Sequence, residues 1–281
     1  MSMDGKTPSP PVTVIRAQQS LQGRWQELFA YRELFWVLAW RDIRVRYRQT
    51  VIGILWSVLR PMLTMLILTL VFGYFAKLPA GGSYPYLLLV FTGLLPWQFF
   101  AHGTADSGNS LLDHSRLITK IYFPRIFVPV SPVVSAFLDL LISLLLLAPM
   151  LWWHGQWTGW RLLLLPVFLL LAIILTIGAG TWLTALHVKY RDVRYVIPFI
   201  LQIGLYLAPV GYDTDIIPAH LRWIYGLNPM VGIIDGFRWC LLEGRSFHPD
   251  FLPGMVAVPL LVTGLGLRYF QATERYFADI L

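Results

Sequence analysis

Charge is scarce in this chain: 13% of its 281 residues are Asp, Glu, Lys or Arg, against 57% hydrophobic. Soluble domains carry about a quarter of their residues as charges, so a water-soluble globule is excluded. Cysteine is nearly absent, and the lone Cys240 excludes an internal disulfide and any cysteine-based metal site. The six histidines, at 102, 114, 154, 187, 220 and 248, show no two-ligand helical spacing, so no metal is expected. Gly5-Lys6-Thr7 looks like the end of a phosphate-binding loop, but the first glycine and the preceding strand are missing. ATP binding by that route is therefore not expected. Acid is scarcer than base, 15 residues against 22. The close pair Asp213 and Asp215 has no neighbouring base to work with, so a polar cap on a fifth span is expected there, not catalysis. There is no internal repeat and no low-complexity tract.

What the chain has is apolar length. Six segments, near residues 51–75, 84–105, 126–150, 162–186, 195–212 and 251–270, approach the ~20 helical residues that cross a bilayer. Positive charge alternates with them. Lys6, Arg16, Arg24, Arg32, Arg41, Arg44, Arg46 and Arg48 precede the first segment. Arg116, Lys120 and Arg125 follow the second, Lys189, Arg191 and Arg194 follow the fourth, and Arg268 and Arg275 close the chain. The other connections hold only Lys77, Arg161, Arg222, Arg238 and Arg245. The richer side is cytoplasmic by the positive-inside rule. Both termini are then inside, as six spans require. The net charge of +7 reads as cytoplasmic flanks facing anionic lipid, not as nucleic-acid binding.

Residues 1–23 are polar and carry Pro8, Pro10 and Pro11, which predicts a disordered cytoplasmic tail and no cleavable signal. Over 24–50, Trp25, Leu28, Phe29, Phe35, Trp36, Trp40, Ile43 and Tyr47 recur at helical spacing with arginines opposite. That predicts an amphipathic helix lying in the membrane interface, as a lipid anchor or a partner contact. A six-helix membrane domain over 51–270 follows, then a cytoplasmic C-terminus over 271–281. Within the spans stand two charges, Arg60 and Asp139. Charge at that depth must face protein or water, and an ion pair between the two is the expectation.

The connection 106–125 carries Asn109 or Ser110 as a helix cap, Asp113 in a first turn, Lys120 near an end and Pro124 as a stop. A short cytoplasmic helix results, over 109–120, apolar and basic enough to dock on another protein. The last external region, 213–250, is too apolar for a solvated loop and too broken for a span. Short helices dipping into the outer leaflet fit it, because broken backbone at that depth must be surrounded by protein or water. Trp152, Trp153, Trp157 and Trp160 fit an aromatic belt at an outer boundary. Trp56, Tyr74, Trp97, Phe99, Phe100, Trp182 and Tyr206 lie within or near spans. They are candidates for an aromatic conduit that passes sugar rings, with ordinary packing as the alternative.

These features together resemble the membrane subunits of ABC transporters that export bacterial cell-surface polysaccharides such as O-antigen, capsule and teichoic acid. The resemblance runs from about Tyr31 to the C-terminus. It rests on LAWRDIRVRYRQTVIGILW from Leu38 to Trp56, LITKIYFPR from Leu117 to Arg125, KYRDVR from Lys189 to Arg194, and Asn228-Pro229 followed by Gly236-Phe237-Arg238. It implies a homodimer in the bacterial inner membrane, joined by two separate ATP-binding subunits that hold ATP and magnesium. The chain itself then binds no cofactor and is not an enzyme. A lipid-linked glycan would pass between its two copies. Asn109, Asp113, Arg116, Leu117 and Lys120 would belong to a coupling helix seated in the ATPase. Trp223, Tyr225, Asn228, Pro229 and Arg238 would belong to a gate at the outer mouth. Other readings stay open: an ABC exporter of drugs or another lipid, a proton-driven transporter, or an enzyme acting on polyprenyl-linked sugars. The last two would want more acidic residues than the chain supplies.

Overall fold

A computed structural model of the chain describes residues 21–48, 53–115 and 123–277. The described residues are helical and contain no strand. An apolar surrounding leaves the backbone no partner but itself, and long apolar runs answer with uninterrupted helix. Two helices precede the bundle, α1 (Leu21–Ala30) and α2 (Arg32–Arg48). The bundle holds α3 (Gly53–Leu68), widening into a π-helical end at Thr69–Phe75, then α4 (Tyr86–Asp113), α5 (Phe127–Trp153) and α6 (Leu165–Lys189). It is completed by α7 (Val193–Leu207), α8 (Pro229–Leu241) and α9 (Leu252–Thr273).

Five stretches are long and apolar enough to cross a membrane: Leu55–Phe75, Tyr86–Asp113, Phe127–Trp153, Gly159–Lys189 and Pro249–Tyr276. They match five of the six expected segments to within a few residues, apart from the far end of the second. The remaining one is different. Where a span over 195–212 was expected, α7 has 15 residues, about 22 Å of helix against the ~30 Å hydrocarbon core. The aromatic residues Trp152, Trp153, Trp157 and Trp160 are all exposed, at the ends of α5 and the approach to α6.

The bundle is built around α4, whose most apolar window is 72% buried, whereas that of α3 is only 17% buried. The main core joins Leu88, Phe91, Leu94 and Leu95 of α4 to Ala136 and Leu140 of α5, Ala172 and Leu175 of α6, and Ile233 and Phe237 of α8. A second cluster joins Leu38 of α2 to Leu111, Phe127, Val188 and Phe270, binding the N-terminal helix to four others. Leu38 and Ala39 are buried, while Trp36 and Trp40 point outward and Arg44 lies over the Trp40 ring.

Helices without a hydrophobic drive between them associate through small residues and polar contacts. The α6–α9 crossing shows both. A Cβ on Gly178 would stand 2.5 Å from the Thr263 backbone, while the Thr263 hydroxyl donates to the Ile174 carbonyl at 2.7 Å. Gly178→Ala is expected to lower stability by about 1–3 kcal/mol through overpacking. Gly264→Ala, on the partner helix α9 with open space around it, is expected to stay within about 0.5 kcal/mol. Melting of the two purified variants in detergent measures the difference.

Candidate functional site

Polar chemistry gathers in two places toward the two ends of α4. The first lies where α2, α3, α4 and α5 meet. A cavity of about 190 Å³ is lined there by Arg46, Ser57, Arg60, Gln98, His102, Asp139 and Ser143, with Trp56, Pro61, Leu95, Phe99, Ala136 and Leu140 as apolar wall. Asp139 is engaged from three directions. Tyr47 and Ser57 donate their hydroxyls to it, the latter at 3.0 Å, and the Arg46 guanidinium lies 3.2 Å away. Arg46 also reaches Asp106 at 3.5 Å. Burial and the bond to Asp139 push the Tyr47 phenol up to about 12, so it stays a donor. The expected Arg60–Asp139 pair is therefore corrected: Asp139 belongs to Arg46, on the helix before the bundle. Arg60 makes no ion pair or side-chain hydrogen bond among the described residues.

Nearby, Asp42 accepts from Ser131 at 2.6 Å and lies 3.6 Å from His114. Asp42 and Arg46 stand one turn apart on α2, so together they dock that helix on α5. Sequence spacing placed Arg46 among the arginines opposite the apolar face of α2. The signal that could have found it is an intramembrane carboxylate whose own span offered no partner.

The second cluster closes the other end. Arg245 clasps both oxygens of Asp213, at 2.6 and 2.7 Å, and also reaches Asp235 at 3.0 Å, Thr214 at 3.0 Å and Tyr84 at 3.1 Å. His248 bridges Asp235 at 3.0 Å and Asp215 at 2.9 Å. Burial opposes ionisation of Asp213, but the Arg245 fork outweighs it and holds the carboxyl below its usual range. The bond to Asp235 raises the His248 imidazole above its ordinary value against the cost of burial. At Asp213 the expected polar cap is thus part of a buried ion network, with Asp215 at its exposed edge. Asp235 went unremarked in the sequence, although a carboxylate inside an apolar run marks it out, and Arg245 and His248 were noted there only as an external basic residue and a histidine without a metal partner.

The five residues expected at an outer gate divide. Arg238 is fully buried and donates to the carbonyls of Leu89, Tyr212 and Val210 at 3.1, 3.0 and 2.9 Å, a structural clamp. Gly93 makes room for it, since a Cβ there would lie 2.6 Å from the guanidinium. Asn228 caps α8 by accepting from the Met230 amide at 3.1 Å, and Pro229 takes the first helical position, where its missing N–H costs nothing. Tyr225 shares a 2.7 Å hydrogen bond with Tyr212, and Trp223 is exposed.

Among the expected conduit aromatics, Trp97 and Phe99 are corrected to core residues, 5% and 3% exposed. Phe100, which packs on Trp97, and Trp182 are half-buried, and Trp56, Tyr74 and Tyr206 are exposed on α3, its π-helical end and α7. The coupling helix is corrected at its start. Helix α4 runs unbroken through Asn109 to Asp113, and Asn109 donates back to the Ala105 carbonyl at 3.0 Å instead of capping. Arg116, Leu117 and Lys120 lie outside the described residues. No cluster that could hold a metal occurs among the described residues.

The sequence pattern of the ABC-2 type transporter family matches residues 33–242. The chain is similar to an O-antigen export system permease protein RfbA of Myxococcus xanthus, 29% identical over 256 residues that cover 90% of this chain and 97% of that protein. It is similar to the RfbA permease of Klebsiella pneumoniae, 28% identical over 251 residues, covering 89% and 95%. It is also similar to the polysialic acid transport protein KpsM of Escherichia coli, 26% identical over 243 residues, covering 83% and 91%.

Arg245→Met strands two buried carboxylates and is expected to cost about 3–5 kcal/mol in unfolding measurements. Adding Asp213→Asn and Asp235→Asn should restore part of that loss. The protonated His248 stabilises the fold fully below about pH 6.5, the ordinary imidazole value. That contribution is lost as pH rises through the raised folded value. Melting temperature from pH 5.5 to 8.5 should therefore fall more in the native chain than in His248→Gln.

Proposed function

The chain belongs to the ABC-2 type transporter family, and from that premise we propose that it is the membrane subunit of an ATP-driven exporter of lipid-linked surface polysaccharide. The observation that carries the reading is end-to-end similarity to O-antigen permeases, over 90% of this chain and 97% of one relative. The chain supplies no nucleotide-binding motif of its own, so a separate ATP-binding subunit does the hydrolysis and carries ATP and magnesium. Two copies of this subunit with two ATPase copies form the working exporter in the bacterial inner membrane, with the glycan moving between the copies.

Six crossings fit this assembly, with α7 and the residues after it making the short one and both termini on the cytoplasmic side. The distribution of Lys and Arg supports that orientation. Helices α1 and α2 lie at the cytoplasmic interface, where exposed Trp36 and Trp40 meet headgroups. The segment Thr214–Leu241 is the re-entrant outer element, with Trp223 and Tyr225 toward the mouth. The ATPase docks on the connection that follows Asp113, where Arg116, Leu117 and Lys120 supply an apolar and basic contact.

Affinity purification of the tagged subunit from native membranes in mild detergent should bring down a stoichiometric protein with a phosphate-binding loop. Arg116→Glu with Lys120→Glu should cut that recovery about tenfold while membrane insertion stays unchanged. Repeated isolation without any ATPase would remove the exporter reading.

A further inference from the structure

An ionised carboxylate accepts hydrogen bonds and offers none, and His248 stands between two of them. Its Nδ1 lies 3.0 Å from the Asp235 carboxylate, and its Nε2 lies 2.9 Å from that of Asp215. A neutral imidazole carries hydrogen on one ring nitrogen only. Both contacts are therefore hydrogen bonds in the imidazolium alone. The other charges around the ring are Arg222, on the short helix Arg222–Tyr225, and Arg245, earlier on the same loop and shared with Asp235. Asp213 is itself clasped by Arg245, and Asp250 lies exposed just beyond the ring. The Phe251 ring packs on the imidazole, with centroids 5.5 Å apart.

The two bonds are not equally held. The Asp235 side chain is fully enclosed, whereas that of Asp215 is 56% exposed. An unmade hydrogen bond costs most where water cannot replace it. On losing a proton, His248 therefore keeps hydrogen on Nδ1, toward Asp235, and turns the Nε2 lone pair toward Asp215. That carboxylate is repelled into water. Asp235 still has Arg245 at 3.0 Å and the Thr214 hydroxyl at 2.7 Å, so the rest of the network stays closed.

Asp215 opens a stretch with little else to hold it. No residue from Asp215 to Leu221 is buried, and the bond to His248 is the one salt bridge they make among the described residues. The stretch is rooted at one end by the Asp215 amide, which donates to Asp213 at 3.2 Å. At the other end Arg222 donates to the Ile217 carbonyl at 3.2 Å. Few buried contacts oppose movement between those roots.

Resting on the reading that this end of the bundle faces outward, we infer that His248 is a proton-operated latch: the imidazolium fastens the stretch Asp215–Leu221 to α8, and the neutral ring lets it go. The ordinary imidazole value is about 6.5 and the bond to Asp235 raises it, so release comes above that pH. In the exporter, this edge of the outer mouth is then held in acid and loose in alkali.

The test places a nitroxide on Ala219→Cys, with Cys240→Ala, in the full chain in lipid nanodiscs. The mobile fraction of its spectrum is expected to rise about threefold from pH 5.5 to 8.5. His248→Gln should abolish that response. Asp215→Asn should abolish it too, because an amide can accept from Nε2 or donate to it. Where His248→Gln does not assemble, Asp215→Asn, on the surface, stands in for it. A label on Glu243→Cys, beside the Arg245 network, should keep one spectrum across the range. No response in the native sequence, a response that persists in either variant, or equal loosening at Glu243 would overturn the proposal. Surface glycan in cells lacking and regaining the gene tests the exporter reading separately. Restored glycan with a flat spectrum sinks only the latch, and a full response with glycan indifferent to the deletion sinks only the exporter reading.

Discussion

Backbone that leaves the helical state inside an apolar bundle must find donors and acceptors elsewhere, and one arginine supplies most of them here. After α7 ends, the chain passes through Val210, Gly211 and Tyr212 before it returns to short helical turns. Arg238 donates to the first and third of those carbonyls and Tyr86 donates to the second. The same guanidinium ties this break to the Leu89 carbonyl of α4, the most enclosed helix. Without those donors the segment would hold several unsatisfied carbonyls in a medium with no water to spare. Short α7 and buried α8 thus depend on the same side chain.

The charges around that clamp obey one rule. Arg245, Asp213, Asp235 and His248 are buried, and each is held by at least two partners. Such a network is no better for stability than a well-packed apolar core, but breaking it is expensive. Its effect is to hold the loop before α4, the turn after α7, helix α8 and the approach to α9 in one arrangement. At the other end of α4 the pattern differs: Asp139 and Asp42 anchor α2, while Arg60 faces an open cavity.

Hydropathy and the distribution of Lys and Arg made five long helices legible almost to their ends, because a span must satisfy itself over a set length. Where tertiary contacts decide, the sequence was mute. Fifteen helical residues in α7 could not be foreseen, because Arg238 and Tyr86 stabilise the break only after folding brings them there. Asn109 looks like a cap because its chemistry suits one, yet α4 passes through it and its side chain donates back to the Ala105 carbonyl. Trp97 and Phe99 looked like conduit residues because aromatic type carries no information about which way a helix faces. Arg46 was read as one of the arginines opposite an apolar face, and it is the partner Asp139 needed. Residue type foretold where charge is costly, and only the fold shows which charges answer one another.

The uneven packing of the bundle then bears on which parts are free to shift. Helices α4, α6 and α9 are locked by close glycine contacts and by side-chain hydroxyls donating across the crossings, as from Thr184 to Ser107 and from Thr263 to Ile174. Helix α3 has one such contact, from the Ser57 hydroxyl to Asp139 of α5. It is the least buried of the five long helices and ends in a π-helical turn, a geometry common at functional sites. Segments with few buried contacts are the ones that move at least cost. The cavity bounded by Arg46, Arg60 and Asp139 is therefore walled on one side by the most enclosed long helix, α4, and on another by the least buried, α3, which carries Arg60.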